Sequence, residues 1–138
     1  LPKTCHWIPL RSEPLILLAP AKLRVRDPLV TAAREPFIRY DRSVVAGKLA
    51  DEYLRQHGVR PRVQFELDGI EYIAKLVAEG LGVSVLPDWA TVGAPHPGLK
   101  RWPLPAPCPA RTVGLLSLRG AARAPLADAL AQLMREPA

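Results

Sequence analysis

The feature that most limits what this chain can fold into is the stretch from Pro36 to Trp89, PFIRYDRSVVAGKLADEYLRQHGVRPRVQFELDGIEYIAKLVAEGLGVSVLPDW. Short apolar runs alternate in it with longer segments of helical spacing, giving strand, helix, strand, helix, strand. Strands joined through helices run parallel, because the helix carries the chain back before the next strand begins. The loops after the first two strands therefore open on the same edge of a sheet. Ligands of open parallel sheets sit beyond the carboxyl ends of the strands. One stretch thus predicts an α/β architecture and the place of a small-molecule site.

Each element has its own local reason. Pro36 lacks an amide donor and belongs at the start of the strand Pro36–Tyr40. Asp41, Arg42 and Ser43 make the first polar loop. Between Val44 and His57 the apolar Val45, Leu49 and Tyr53 fall four apart, with Ala46, Ala50 and Leu54 beside them, a wide helical stripe. Ser43 or Asp41 caps its free amides, and Gly58 is placed to end it. Arg62–Leu67 alternates Val63, Phe65 and Leu67 against polar residues, as a strand does. Asp68 sits at an N-cap position, followed by Ile70, Ile73, Ala74, Val77, Ala78 and Leu81 at helical spacing. Gly80 and Gly82 punctuate the exit, Gly82 through tight packing or a positive φ. Val83–Leu86 is the third strand, stopped by Pro87.

Around this unit, Pro14–Pro20 (PLILLAP) reads as a buried strand and residues 21–35 as a connector with a short helical turn over Pro28–Ala33. Leu99–Leu104 reads as an edge strand, since its prolines keep it from a central place. Arg111–Leu118 is a strand and Pro125–Met134 a closing helix. Trp7, Trp89 and Trp102 are too dispersed for a base-stacking platform and read as partly buried packing residues.

Composition narrows the function. The 138 residues are 49% hydrophobic and 23% charged, as in an ordinary packed domain. Lys and Arg number 19 against 13 Asp and Glu, a formal charge of +6. The arginines are scattered singly from Arg11 to Arg135, which favours a solvated or ligand-related role over a nucleic-acid face. No apolar run approaches the roughly 18 residues of a membrane span. The start, LPKTCHWIPL, carries no secretory pattern and lies inside a strand, so the chain reads as a fragment of something longer. Cys5 and Cys108 read as reduced thiols of a cytoplasmic protein.

Catalysis finds no support. Cys5 and His6 are neighbours on a strand and point to opposite faces, and Cys108 lies in a proline loop without a base. His6, His57 and His96 lack metal-ligand spacing, and His57 at a helix end reads as a dipole partner or cap. There is no phosphate-binding GKS or GKT, and Gly80 and Gly82 follow a helix rather than opening one. No cofactor is expected. The two strand-to-helix loops carry the best chemistry. Free amides at a helix start favour an anion, Ser43 supplies a hydroxyl, Arg42 a fork for a carboxylate, and Asp68 an acceptor for an amine or hydroxyl. Each of these also reads as a plain cap or surface charge on its own. Their convergence is what the spacing adds.

The same stretch resembles the C-terminal effector-binding domain of LysR-type transcriptional regulators. The resemblance rests on EPLILLAP (Glu13–Pro20), PFIRYDRS (Pro36–Ser43), RVQFELDGIEYIAKLVAEGLGVSVLPDW (Arg62–Trp89) and RTVGLLSLRGAARAPLADALAQLM at the C-terminal end. It implies a type II periplasmic-binding-protein-like α/β fold, with the second subdomain essentially complete and the first partial. Residues 1–35 would be a return strand and crossover from subdomain one, 36–110 the effector-binding subdomain two, and 111–138 a closing strand and helix. It implies a small-molecule effector, a carboxylate among the candidates, in a cleft between subdomains, with Tyr40, Asp41, Arg42, Ser43, Asp68, Gly69 and Ile70 matching its segments. Asp68 stands where the family often has a hydroxyl or small polar residue. It further implies a cytoplasmic, dimeric or tetrameric regulator that meets DNA only through a separate N-terminal winged helix-turn-helix. With part of the family pattern absent, the strands at Pro14–Pro20 and Arg111–Leu118 are expected to have exposed edges. The alternatives are a solute-binding protein of a transporter, with the same fold, and a small basic nucleic-acid-binding module.

Overall fold

The structure, a computed structural model, describes residues 5–89 and 96–118. The expected helix at Pro125–Met134 lies outside the described residues, as do the side chains of Cys5 and His6. The elements are β1 (Cys5–Pro20), α1 (Pro28–Arg34), β2 (Pro36–Tyr40), α2 (Val45–Gln56), β3 (Arg62–Leu67), α3 (Ile70–Ala78), β4 (Ser84–Pro87), β5 (Leu99–Pro103) and β6 (Ala110–Leu118). They form two compact units, Pro14–Ala110 and Leu1–Glu13 with Arg111–Ala138.

The larger unit contains the expected parallel core. β2 and β3 pair in parallel, with Arg39 opposite Glu66 and Tyr40 opposite Leu67. The start of the third strand joins them. Ile38 N donates to Val83 O at 2.8 Å and Val83 N to Pro36 O at 2.9 Å, a parallel bridge between Phe37 and Val83. The approach is close enough to explain Gly82, where a Cβ would stand 2.4 Å from Pro36 O.

Beyond this core the sheet turns antiparallel. β4 pairs antiparallel with β1, and β1 pairs antiparallel with β5 on its other side. The expectation of an exposed edge at Pro14–Pro20 is therefore wrong: Ile16 faces Leu86 across one edge and Pro103 across the other. The segment is central because neither face nor edge offers a polar group to water. Leu15, Leu17 and Ala19 enter one buried cluster with Phe37, Tyr53 and Val85. Ile16 and Leu18 enter a second with Ile38, Ile73 and Val77. The alternation of a strand sends neighbours to opposite faces, and a strand buried on both reads as a continuous apolar run.

The helices follow their sequence cues, with one shift in α2. α1 forms where a helical turn was expected, with the Asp27 side chain accepting from Leu29 N at 3.0 Å and Pro28 in the first turn. α2 buries Ala46, Ala50, Tyr53 and Leu54. Val45, assigned above to its apolar stripe, is 68% exposed. The stripe is rotated by one position because Gly47 sits against the backbone of Asp41. At the other end His57 is the C-cap, its ring 4.3 Å from that of Tyr53. The Tyr53 hydroxyl donates to Pro105 O at 2.8 Å, tying α2 to the proline-rich loop.

Of the tryptophans, Trp102 packs against the first cluster and Trp89 against the second, while Trp7 is 40% exposed. In the smaller unit Ile8 and Leu10 are buried with Leu115 packed against them. There Arg111 Nε donates to the buried Glu13 carboxylate at 2.9 Å, and Arg111 Nη2 donates to the same oxygen.

Candidate functional site

β2 and β3 end side by side, so the two strand-to-helix loops emerge as neighbours. Asp41 N donates to Leu67 O at 3.0 Å, fixing one loop against the other. This places Tyr40, Asp41, Arg42 and Ser43 next to Asp68, Gly69 and Ile70, the convergence that spacing alone suggested.

The residues within the site differ in role. Tyr40 is buried in the second cluster and supports the loop from beneath. Asp41 does not cap α2. Its carboxylate accepts from Ser43 N at 2.8 Å, and its carbonyl accepts from Val44 N at 3.3 Å, so it closes a tight turn one step before the helix. The Ser43 amide, then the Ser43 side chain and the Arg42 charge, hold the Asp41 carboxyl below the usual carboxylate range. α2 begins at Val45 with Val44 as its N-cap, and no side chain caps it. The expectation that Ser43 or Asp41 would cap it fails because the Asx-type turn already engages Asp41 and the chain needs one more residue to enter the helix.

The second loop departs in a similar way. Asp68 was placed at the N-cap, but the N-cap is Gly69, again with no side-chain cap. Gly69 has φ of 102°, a conformation that side chains disfavour. It takes the turn and leaves Asp68 exposed on the rim. Ile70 is half-buried and packs on the second cluster.

Two site residues escaped the sequence reading. Glu66 accepts from Arg39 Nε at 2.8 Å and Arg39 Nη2 at 2.5 Å. It also accepts from Arg42 N at 3.5 Å and lies 3.7 Å from Arg42 Nε. The Arg39 hydrogen bonds, reinforced by Arg42, hold the Glu66 carboxyl low. Glu66 therefore steers Arg42 from the neighbouring strand. The available signal was the alternation of β3, which gave Glu66 a polar face but not its partner. The other missed residue is Gly47. A Cβ there would lie 1.8 Å from Asp41 O, so only glycine lets the first turn of α2 press on the loop.

The arrangement pairs two neighbouring helix starts that lack side-chain caps with an exposed guanidinium and hydroxyl, all attractive to an anion. Asp68, on the rim, is an acceptor for a ligand hydroxyl or amine. Among the described residues no three His, Cys, Asp or Glu side chains gather as metal ligands do. Cys108 lies elsewhere, beside a cavity of about 300 Å³ between α2 and residues 107–109. Burial pushes its thiol up, and its Sγ is 3.4 Å from Leu15 O, so it is a packed group rather than a nucleophile. Among the described residues no helix is long and apolar enough to cross a membrane.

The fold is α/β, of the periplasmic-binding-protein-like type. A family profile described as the LysR substrate binding domain matches residues 1–138, and the chain belongs to that family. A curated relative, the uncharacterized HTH-type transcriptional regulator YybE of Bacillus subtilis (strain 168), is 28% identical over 131 residues. The match covers 92% of this chain and 44% of that protein, so the chain spans less than half the relative's length. Among solved structures, the regulatory domain of CcmR from Synechocystis PCC6803, in complex with 2-PG, superposes with a TM-score of 0.71 at 21% identity. That match covers 98% of this chain and 68% of the other. The C-terminal domain of a probable LysR family regulator from Rhodococcus sp. RHA1 gives 0.71 at 21% identity, covering 99% and 70%. The effector binding domain of QuiR, in complex with shikimate, gives 0.67 at 19% identity, covering 95% and 64%. These likenesses establish the fold.

Proposed function

We propose that this domain senses a small polar effector, a carboxylate or similar anion, for a LysR-type transcriptional regulator, and performs no catalysis. The observation that carries the reading is the pair of neighbouring helix starts without side-chain caps, set beside Arg42 and Ser43. Arg42 and Ser43 would hold the anion, the amides at Gly69 and Ile70 would add donors, and Asp68 would accept from a ligand hydroxyl or amine. Tyr40 and Asp41 would position the loop. The small molecules bound by two structural neighbours are consistent with such a role. The family match and the HTH-type relative favour a regulator over a transporter component.

In this reading the whole protein is cytoplasmic, a dimer or tetramer, and meets its operator through a separate N-terminal domain. The effector binds one arrangement of the oligomer better than another and shifts the balance by that difference. The test is a thermal-shift screen of the parent regulator against small carboxylates, amino acids and aromatic acids, repeated with Arg42→Ala and Ser43→Ala. A ligand at 100 times its Kd stabilises by about 2.7 kcal/mol. The shift should be lost or strongly reduced in both variants. A ligand that stabilises wild type and both variants equally removes these loops as its site. An effector that changes neither operator affinity nor subunit geometry removes the switching mechanism.

A further inference from the structure

The arginines look evenly scattered along the chain, but the fold sorts them. Arg39 and Arg42 meet Glu66, Arg55 meets Asp51, Arg101 meets Asp88, and Arg111 meets Glu13. Arg24, Arg26, Arg34, Arg60 and Arg62 are exposed and, among the described residues, reach no carboxylate. All five lie in two short segments, with the exposed Lys22 between the same bounds.

Those segments converge at the amino-terminal end of the parallel strands. Arg62 stands opposite Pro36 in the register, and its Nη1 donates to Arg34 O at 3.1 Å. The loop that carries Lys22 and Arg24 folds onto the same place, since Leu23, Glu35 and Pro36 line one small cavity of about 70 Å³. α1, roughly 10 Å long at the usual rise per residue, separates Arg26 from Arg34. Residues 20–36 and 59–62 hold six cations against two carboxylates, and the Asp27 carboxylate is engaged with the Leu29 amide. Glu79 precedes Gly80, which lines the same cavity, and adds a further acid on this side. The patch has no aromatic side chain, so it offers no platform for stacking unpaired bases. It is arginine-rich, which suits phosphate more than a single point charge would.

We propose that this end of the domain docks on the phosphate backbone of double-stranded DNA, without reading bases, opposite the end that carries the effector loops. The proposal rests on the reading that the domain serves a DNA-binding regulator. β2 is five residues long, about 16 Å at the strand rise, so the two ends are separate surfaces. Contacts of this kind position a protein on the duplex and carry no sequence information.

The test is fluorescence anisotropy of the 138-residue chain with a labelled 30-base-pair duplex of arbitrary sequence, between 50 and 200 mM NaCl. Binding should weaken steeply with salt, by about 0.9 in log–log slope for each phosphate contact. The triple variant Arg34→Glu, Arg60→Glu, Arg62→Glu should lose at least about tenfold in affinity at 50 mM and cut the slope by about 3. The charge-matched control Lys48→Glu, Lys75→Glu, Lys100→Glu should retain most of the binding. If the reversal variant does not fold, as judged by circular dichroism, Arg34→Gln with Arg62→Gln takes its place and should lose about 2 in slope. No duplex binding at 50 mM, or equal weakening by patch and control reversals, overturns the proposal. So does binding to phosphatidylserine vesicles but not to the duplex. Arg42→Ala should leave duplex binding intact, so an effector screen that fails while DNA binding persists counts against the effector site alone.

Discussion

Glu66 shows how a residue acquires a role that its own chemistry does not announce. Its oxygens take both the Arg39 guanidinium from β2 and the backbone of Arg42. Arg42 and Ser43 were legible because polar residues after a strand are conspicuous. Glu66 was not, because its partners depend on the pairing register of two strands, which is a tertiary fact. The consequence is a pH dependence. With the folded carboxyl held below its unfolded value, the pair contributes stability that is fully present above that value. It is lost as pH falls through the folded value. Both side chains are partly exposed, so the contribution should be under about 1 kcal/mol. Urea unfolding of wild type and Glu66→Gln should differ most above the unfolded value, and the two midpoints should converge as the pH falls below it. A difference that grows in acid would contradict the pairing. In the smaller unit, Arg111→Met should cost about 1–3 kcal/mol, because it strips two charge-assisted hydrogen bonds from a carboxylate that is 1% exposed.

At the scale of elements, strands and helices were legible wherever local pattern matched burial. The alternation of Arg62–Leu67, the helix stop near Gly58 and the apolar run at Pro14–Pro20 all correspond to real elements. The departures occur where one backbone presses on another. α2 is turned so that Val45 faces out and Gly47 meets the Asp41 carbonyl, and no periodicity encodes that contact. Gly47→Ala should therefore destabilise by about 1–3 kcal/mol or more through overpacking. It should also displace the Asp41–Ser43 turn and weaken effector binding beyond what the loss of stability explains. A variant with wild-type melting and ligand shifts would show that the contact yields freely. β1 offers the opposite case, a site with no room for loss. Leu17 is fully buried between strands on both sides, and Leu17→Ala should cost about 2–5 kcal/mol in chemical unfolding.

For the molecule as a whole, the composition gave the charge but not its arrangement. A formal charge of +6 spread evenly would be a solvated surface. The fold instead sets Arg39 and Arg42 beside Glu66 and, among the described residues, leaves the arginines near α1 without carboxylate partners. Which arginines share an end is decided by the crossover path of the chain, and single-residue spacing carries no trace of it. Like charges left together oppose compaction and are screened by salt. Raising NaCl from 0.05 to 0.5 M should lift the thermal midpoint by roughly 2–4 °C. A midpoint that falls with salt would indicate that net attraction between charges dominates.

The central position of Pro14–Pro20 has a consequence for how the protein is made. Its partners on both sides, Ser84–Pro87 and Leu99–Pro103, come much later in the chain. At about 5–20 residues per second, a ribosome needs several seconds to deliver them after this strand emerges. Throughout that interval PLILLAP is an apolar, strand-prone segment with two open hydrogen-bonding edges, the kind of sequence on which nascent chains aggregate. The strand that anchors the finished domain is thus its chief hazard during synthesis, and chaperones that shield short apolar runs should determine how much of it reaches the native state.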